Sequence, residues 1–384
     1  GKGMRIVRKD RELEENFIAA KSESKKSFGD DRVFIEKYIE QPRHIEIQIL
    51  CDKHGNQIHL GERECSIQRR YQKVIEECPS PFVDEDMRSE MASQALILAK
   101  EVKYDSAGTV EFVVDSKKNF YFLEMNTRLQ VEHPVTELVT GIDLVEQMIL
   151  SADNKKLAIR QEDIKLNGWS VESRIYAEDP TKDFLPSIGR VTRYIEPKKI
   201  EKDYEVIRND TGISPGSEVS LYYDPMISKL AVHSKDRISA INLMINSLQN
   251  YYLSGLENNI DFLIAILEDK KFQKGEISTN FIKEKFKKGY SSNLTMTDDK
   301  RQKFGIIAML MYAKQSFNLS NVISKNFSVK ISEDYLDIFL KEAAIVDNSL
   351  SLLIEINKKK IKVESSFNLN QKLCLFKVNE EIFY

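Results

Sequence analysis

The residues best suited to chemistry lie in the segment 124–134, which reads EMNTRLQVEHP. If this segment begins as a strand, Glu124 and Asn126 share a face, because side chains two positions apart point the same way. Glu111 falls nearly opposite Glu124 when the preceding apolar segment pairs with this one through the polar turn at 116–118. Two carboxylates and a carboxamide supply oxygen ligands that suit Mg²⁺ better than zinc. The alternative is that these groups are solvated on an exposed sheet face.

A candidate general base follows at Glu132, which comes after Arg128 and Gln130 at alternate positions. A guanidinium beside a carboxylate favours its charged form, so such a base would act on an acidic proton like that of bicarbonate. We interpret His133 and Pro134 as a structural turn and not as a catalytic imidazole. The segment therefore predicts a base that the Arg128 guanidinium holds close to the metal ligands.

Weaker patterns upstream suggest a site for phosphate or a nucleotide. Residues 1–5, GKGMR, look like the end of a glycine-rich loop whose backbone N–H groups can approach phosphate. Glu36 and Lys37 end an apolar run that we interpret as a strand and linker beside a purine. The basic segment 68–73, QRRYQK, is either a solvated turn or a funnel for anions.

The hydrophobic pattern predicts the elements that position these groups. Around the site it predicts a strand at 43–50 that turns at 55–56 into a second strand at 57–60, a helix at 84–102, paired strands at 108–115 and 119–126, and a helix at 142–150. Further along it predicts strands at 171–176 and 230–233, helices at 237–249 and 259–267, a helix at 302–315, and strands at 327–331, 336–343, 350–356, 360–364 and 373–378.

Length and composition limit the class of protein. A chain of 384 residues is too long for one core, so we expect an α+β fold with domains at 1–165, 166–290 and 291–384. The net charge of -3 argues against a nucleic-acid partner, and no apolar run approaches the roughly 20 residues that span a membrane. Four widely spaced cysteines indicate buried thiols in a reducing compartment, either the cytoplasm or a mitochondrial matrix.

Two longer stretches carry a family resemblance. Residues 62–77 read ERECSIQRRYQKVIEE, and residues 122–137 read FLEMNTRLQVEHPVTE. With shorter matches at 1–5, 42–46, 108–112, 174–180 and 222–229, they strongly resemble the biotin carboxylase component of biotin-dependent carboxylases. The resemblance implies a partial ATP-grasp domain followed by a biotin carboxylase C-terminal domain. It also implies a reaction in which ATP and bicarbonate form carboxyphosphate, after which N1 of biotin is carboxylated.

The resemblance also implies a role for each matching residue. The metal ligands for Mg²⁺ (or Mn²⁺) are Glu111, Glu124 and Asn126; the bicarbonate site is Arg128, Gln130, Val131 and Glu132, with Glu132 as the base; Arg174 stabilises the biotin enolate; Glu36 and Lys37 lie beside adenine; and His44, Gln68 and Lys73 contact the nucleotide and its phosphates. Tyr71 stands where His or Asn is common in the family, so it receives no role.

The helix and antiparallel sheet or barrel beyond residue 290 resemble the BT docking domain of propionyl-CoA carboxylase α subunits. This resemblance implies a carboxyltransferase β subunit as partner, a biotin carrier domain outside this chain, and an oligomeric enzyme. The α subunit of a methylcrotonyl-CoA or acetyl-CoA carboxylase remains an alternative. We expect the chain to be a piece of a longer enzyme, truncated at both ends, and the isolated piece to be an inactive interaction module.

Overall fold

The chain divides into two units of structure. The computed structural model describes residues 4–202, 204–291, 298–319, 326–331, 334–346, 349–365, 376–378 and 381–383. The first unit contains the described residues up to 290, apart from the short segments 193–196 and 249–254. Those two segments and the described residues beyond 290 form the second unit. The predicted glycine-rich loop at 1–3 and Cys374 lie outside the described residues.

The first 165 residues contain the predicted hairpin and the predicted strand pair. The elements are α1 (Leu13–Phe28), β1 (Arg43–Cys51), β2 (Gln57–Arg69), β3 (Gln72–Cys78), α2 (Glu85–Glu101), β4 (Ser106–Val114), β5 (Phe120–Asn126), α3 (His133–Thr140) and α4 (Leu144–Ala152). Asp84 caps α2 by accepting a hydrogen bond from the Met87 N–H, as the sequence predicts. His133 and Pro134 open α3, a helix that the sequence pattern did not predict.

One predicted strand is wrong. Residues 30–41, which include Glu36 and Lys37, belong to no helix or strand. The Phe34 and Ile35 side chains are 82% and 71% exposed. An apolar run becomes a strand only where a neighbouring strand accepts its backbone hydrogen bonds, and no described strand pairs with this segment.

Residues 169–285 add four strands to the same sheet, together with short strand pairs and helices. The elements are β6 (Trp169–Tyr176), β7 (Glu178–Asp179), β8 (Leu185–Pro186), β9 (Gly189–Arg190), β10 (Arg193–Ile195), β11 (Ile200–Lys202), β12 (Glu205–Thr211), β13 (Glu218–Val219), β14 (Met226–Ser234), α5 (Arg237–Gln249), β15 (Tyr252–Ser254), α6 (Ile260–Leu267), α7 (Lys270–Gln273) and α8 (Phe281–Lys285). The nine strands of the large sheet lie in the order β11-β12-β14-β6-β3-β2-β1-β4-β5, and each neighbouring pair is antiparallel.

The two faces of β1 have different surroundings, because successive side chains of a strand point to opposite faces of the sheet. Ile45, Ile47 and Ile49 are fully buried in an apolar core that also contains Met91 and Ala95 of α2. The intervening residues, such as Glu46, point to the opposite face, where the polar groups of β2, β3 and β4 gather. The alternation seen in the sequence therefore separates the core from the candidate site.

Two positive backbone angles close the turn between β2 and β3. Arg70 and Tyr71 have φ angles of 50° and 65°, and Arg69 pairs with Gln72 across the turn. Two central residues with positive φ give the turn whose twist matches antiparallel strands. Tyr71 is 59% exposed at its tip.

The second unit contains one long helix and an antiparallel meander. Its elements are α9 (Asp298–Leu319), β16 (Asn326–Ile331), β17 (Asp334–Val346), β18 (Ser349–Ile356), β19 (Lys359–Ser365), β20 (Phe376–Val378) and β21 (Glu381–Phe383), with β10 and β15 as a separate pair. Ile306, Met309 and Leu310 of α9 are buried in one core with the sheet. Gly305 permits this close packing, since a Cβ there would lie 2.4 Å from a Leu336 methyl.

Cys51, Cys65 and Cys78 are buried free thiols. Among the helices that the structure describes, none combines the length and the apolar character that a membrane span requires.

Candidate active site

A buried lysine lies at the centre of the polar face of the large sheet. Lys73 Nζ on β3 is 2.5 Å from Glu46 Oε2, 3.1 Å from Glu111 Oε1 and 2.5 Å from Glu132 Oε1. The strand pairing explains part of this convergence, since Glu46 and Glu111 stand directly opposite each other on β1 and β4. A cation among three carboxylates offsets a concentration of negative charge that the interior would not otherwise tolerate.

Arg63 on β2 is fully buried and connects the strands behind the lysine. Each of its five N–H groups can be matched to an acceptor at 2.5–3.1 Å. The acceptors are Glu46, Gln48, Thr109, Gln130 and Thr136. The guanidinium therefore joins β1, β4, α3 and the segment before α3 into one rigid network.

Glu132 is 1% exposed and is held by a cation on each oxygen. Lys73 contacts Oε1, and an Arg174 Nη donates to Oε2 at 2.9 Å. The Nε of Arg174 donates to Glu76 at 2.6 Å, and Asn259 binds the Arg174 carbonyl. Because Arg174 is anchored by a second carboxylate, its guanidinium has little freedom to leave Glu132.

The three predicted metal ligands come together at the edge strand β5. Glu111 pairs with Glu124 across β4 and β5, as the hairpin prediction requires. The Asn126 amide lies 2.9 Å from a Glu111 oxygen and 3.2 Å from a Glu124 oxygen. Glu124 is exposed whereas Glu111 is buried, so a cation could enter from the solvent side. Oxygen donors of this kind fit Mg²⁺.

His44 provides a further contact to Glu111. Its Nε2 lies 2.7 Å from Glu111 Oε2, and its Nδ1 lies 3.0 Å from Gln68 Nε2. Gln68 Nε2 also donates to the Cys65 carbonyl, which orients the amide. The Gln68 nitrogen therefore faces Nδ1 as a donor, and the imidazole proton belongs on Nε2 beside Glu111. His44, Glu46 and Glu111 also form a group close enough to ligate one ion.

The charged groups of the cluster shift one another's pKa values. Burial raises the pKa of Glu46, but Lys73 and Arg63 outweigh it and bring that pKa to about 2. Burial also opposes ionisation of Glu111, yet the His44 hydrogen bond and Lys73 lower its pKa well below the usual range. Burial likewise opposes the charge of Lys73, but Glu46, Glu132 and the other acidic groups nearby together outweigh it and raise the pKa of that lysine well above its usual value. These three groups are therefore ionised at neutral pH.

Other predicted residues lie outside the cluster. Arg128 is exposed, and its Nη1 donates to the neighbouring Leu129 carbonyl at 3.2 Å. The expectation that it holds the charge of Glu132 differs from the structure, where Lys73 and Arg174 do so. The strand ends at Asn126, so the alternation that placed Arg128 beside Glu132 does not continue. No described contact joins Glu36 or Lys37 to the cluster. The backbone carbonyl of Val131 accepts a hydrogen bond from Lys229 Nζ at 2.6 Å.

Four residues of the site received no role from the sequence. Glu46 could have been found, because it lies two positions beyond His44 on a predicted strand and must share its face. Arg63, Glu76 and Lys229 carry no such signal. Their positions depend on strand pairings between distant parts of the chain, such as Glu46 with Arg63 and Lys229 with Arg174.

Comparisons with known proteins identify the family of this chain. Residues 1–160 match the family described as carbamoyl-phosphate synthase L chain, ATP binding domain, and residues 172–284 match the biotin carboxylase C-terminal domain. The biotin carboxylase domain of Hydrogenobacter thermophilus 2-oxoglutarate carboxylase, solved with MgADP, ADP and bicarbonate, is 47% identical with a TM-score of 0.71. That match covers 74% of this chain and 61% of the other. The chain therefore belongs to the biotin carboxylase family, with an ATP-grasp domain.

Within that family the chain is similar to α chains of acyl-CoA carboxylases. It is 54% identical to the propionyl-CoA carboxylase alpha chain of Ruegeria pomeroyi, over 80% of this chain and 48% of that protein. The human mitochondrial alpha chain is 47% identical over 97% of this chain and 52% of its own length. The rat methylcrotonoyl-CoA carboxylase subunit alpha is 49% identical over 73% and 39%. The chain spans about half the length of these propionyl-CoA relatives.

Proposed function

We propose that this chain carries the site for ATP- and bicarbonate-dependent carboxylation of biotin. The observation that carries the proposal is the position of Glu132, a buried carboxylate whose two oxygens are held by Lys73 and Arg174. The site thus combines a base with two permanent cations, and this combination suits a reaction between anionic substrates.

The first step is the activation of bicarbonate. Glu132 takes the proton of bicarbonate, and the bicarbonate oxygen then forms a bond to the γ-phosphorus of ATP while ADP leaves. The product is carboxyphosphate. Lys73 and Arg174 orient Glu132 beforehand and face the negative charge of the substrate. Gln130, which is held between Arg63 and Glu111, and the Val131 backbone would orient the bicarbonate.

The second step transfers the carboxyl group to biotin. Carboxyphosphate yields CO₂ and phosphate, N1 of biotin loses a proton to phosphate, and N1 then bonds to CO₂. The enolate form of the biotin ureido group carries negative charge on oxygen, and the Arg174 guanidinium is a planar donor that remains charged at every working pH. Arg174 would therefore serve both Glu132 and biotin.

The metal-binding role falls on Glu111, Glu124 and Asn126, with Mg²⁺ or Mn²⁺ as the ion. When bound, such an ion neutralises phosphate charge and orients the γ-phosphoryl group. Lys73 already contacts Glu46 and Glu111, so the solvent-facing Glu124 side is the more accessible position for a cation. His44 and Gln68 remain nucleotide contacts in this proposal, as do Arg128 for bicarbonate and Glu36 and Lys37 for adenine.

The acceptor of the carboxyl group is proposed to be propionyl-CoA, bound by a partner subunit. The human propionyl-CoA relative matches 97% of this chain, whereas the rat methylcrotonoyl-CoA relative matches 73%. The difference in coverage favours the propionyl-CoA class. Methylcrotonyl-CoA or acetyl-CoA carboxylase remains the alternative.

Three parts of the chain would then divide the work. Residues 1–165 form the ATP-grasp part and residues 166–290 form the C-terminal part of the biotin carboxylase. Residues 291–384 dock a carboxyltransferase β subunit, while a biotin carrier domain delivers biotin. The helix and meander of the second unit support this assignment by their order. We further propose an oligomeric enzyme in the cytoplasm or, in a eukaryote, the mitochondrial matrix.

ATP cleavage by the full-length protein tests the proposed function. We expect ADP release that requires bicarbonate and increases when free biotin is added. ATP cleavage that is independent of bicarbonate would contradict the proposal. Deleting residues 291–384 from the full-length protein should abolish binding to the β subunit but leave carboxylation of free biotin measurable. Binding that survives this deletion would contradict the docking role.

A further inference from the structure

A second carboxylic acid lies behind the candidate base, without a hydrogen-bond partner in the described part of the chain. Glu172 on β6 is fully buried, and neither of its oxygens has a hydrogen-bond partner among the residues that the structure describes. Burying an ionised carboxylate without a partner is among the most costly arrangements in a protein. A neutral carboxylic acid at this position needs an acceptor for its own proton.

The neighbouring strand supplies that acceptor. Glu172 stands directly opposite Glu76 in the pairing of β6 with β3. Directly opposed residues of antiparallel strands have Cβ atoms about 5 Å apart and point to the same face. Glu76 binds Arg174 through Oε1, while its Oε2 is buried and makes no hydrogen bond to any described residue. Two carboxyl groups, each with an oxygen that makes no described hydrogen bond, therefore lie opposite each other next to Arg174.

The other charged groups around Glu172 are already engaged. The charged groups that act most strongly on Glu172, apart from Glu76, are Lys229 on β14, Arg174 on the same strand and Glu132 before α3. Lys229 donates to the Val131 carbonyl and lies 3.6 Å from Asp210. Arg174 is divided between Glu76 and Glu132. These contacts leave Glu76 as the acceptor for a Glu172 proton.

We propose that Glu172 is a neutral carboxylic acid that donates its proton to the free oxygen of Glu76, and that this pair positions Arg174 against Glu132. The pair keeps one negative charge on Glu76, where Arg174 needs it, without placing a second charge in the interior. Glu172 is thus a positioning residue, and this part of the inference rests on the proposed function.

The titration of the two acids agrees with the geometry. Burial, reinforced by the charge of Glu76, raises the pKa of Glu172 well above its ordinary value. Burial also raises the pKa of Glu76, to about 7. Two buried carboxyls at adjacent positions lose their protons in two steps, because the first negative charge opposes the second. The pKa of each step describes the pair of carboxyls and not one residue. The proton that we assign to Glu172 is therefore retained at neutral pH.

Infrared spectroscopy of the full-length protein tests the proton directly. At pH 7 the wild-type spectrum should contain the carbonyl stretch of a protonated carboxyl that is missing in E172Q and retained in E76Q. Loss of the band in E76Q with retention in E172Q would overturn the assignment, and so would identical spectra in all three proteins. S173A is the matched control, because Ser173 lies beside Glu172 but points to the opposite face. It should keep the band.

Kinetics test the positioning role. The amide introduced by E172Q remains a hydrogen-bond donor but cannot ionise. For bicarbonate-dependent ATP cleavage with free biotin, we therefore expect the ratio of kcat in E172Q to kcat in the wild type to rise with pH. The rise should approach about tenfold for each pH unit above the point where the wild-type pair loses its proton. A ratio that is constant with pH, like the one expected for S173A, would overturn the role. If the wild type shows no bicarbonate-dependent ATP cleavage, the proposed function fails, while the infrared result still decides where the proton lies.

Discussion

Arg174 reaches Glu132 across 2.9 Å although the two residues are 42 positions apart, and the same guanidinium is anchored by Glu76 at 2.6 Å. A candidate base held in this way is oriented before any substrate arrives. Much of a reaction's electrostatic stabilisation comes from such groups, because they do not have to reorganise during the chemical step.

The first prediction concerns the base and its arginine. Glu132→Gln removes the proposed proton acceptor, and Arg174→Ala removes a charged donor from Glu132 and, in the proposed mechanism, from the biotin oxygen. Each change should lower the rate of biotin carboxylation by about 100-fold or more in the full-length protein. The measurement is bicarbonate-dependent ADP release with free biotin.

Arg190→Ala is the control for this pair, because Arg190 is an exposed arginine of the same unit. Its rate should stay within about twofold of the wild type. Unfolding curves should show that all three variants fold. A normal rate in either site variant would show that the base has been placed on the wrong residue.

The second prediction concerns the stability of the carboxylate cluster. Lys73→Gln leaves Glu46, Glu111 and Glu132 without their shared cation, so the free energy of unfolding should fall by about 3–5 kcal/mol. Lys118→Gln removes a lysine from an exposed pair with Asp84 and should cost no more than about 1 kcal/mol. Urea unfolding at pH 7 measures both. Equal losses of unfolding free energy in the two variants would mean that the buried cluster depends on its lysine no more than an exposed ion pair does.

The third prediction separates two of the proposed metal ligands by their burial. Glu124→Gln should raise the Mg²⁺ concentration needed for half-maximal ATP cleavage by about tenfold, with little loss of stability, because Glu124 is exposed. Glu111→Gln should impair Mg²⁺ binding and also stability, because Glu111 contacts Lys73, His44 and Gln130. Titrating Mg²⁺ and comparing urea midpoints distinguishes the two effects. An unchanged Mg²⁺ requirement in both variants would remove this edge of the sheet from the proposed metal site.

The fourth prediction is a pH dependence of stability. The pKa of Glu46 is about 2 in the folded protein against 4.5 for an ordinary glutamate. A lowered pKa stabilises the fold above pH 4.5, and that contribution is lost as the pH falls toward 2. The difference corresponds to on the order of 3 kcal/mol. Wild type should therefore lose stability more steeply than Glu46→Gln as the pH is lowered from about 5 to about 3. Parallel curves would contradict this explanation.

The sequence alone identifies much of the local structure. Alternating residues from Arg43 to Leu50 predict β1, and the polar turn at 116–118 predicts the pairing of Glu111 with Glu124, which the structure confirms. These patterns can be read because both depend on neighbours in the chain. The resemblance at residues 62–77 and 122–137 identified the family before any geometry was known.

Only the tertiary structure assigns the partners of Glu132. The sequence placed Arg128 beside it by alternation, but the strand ends at Asn126 and the partners come from β3 and β6. Lys73 is 59 positions away, and its contact depends on the order and register of strands that meet only when the sheet forms. Side-chain periodicity acts over a few residues, whereas the pairing of charges depends on which strands lie side by side. The sequence could therefore indicate Glu132 as a candidate base but could not indicate its charged partners.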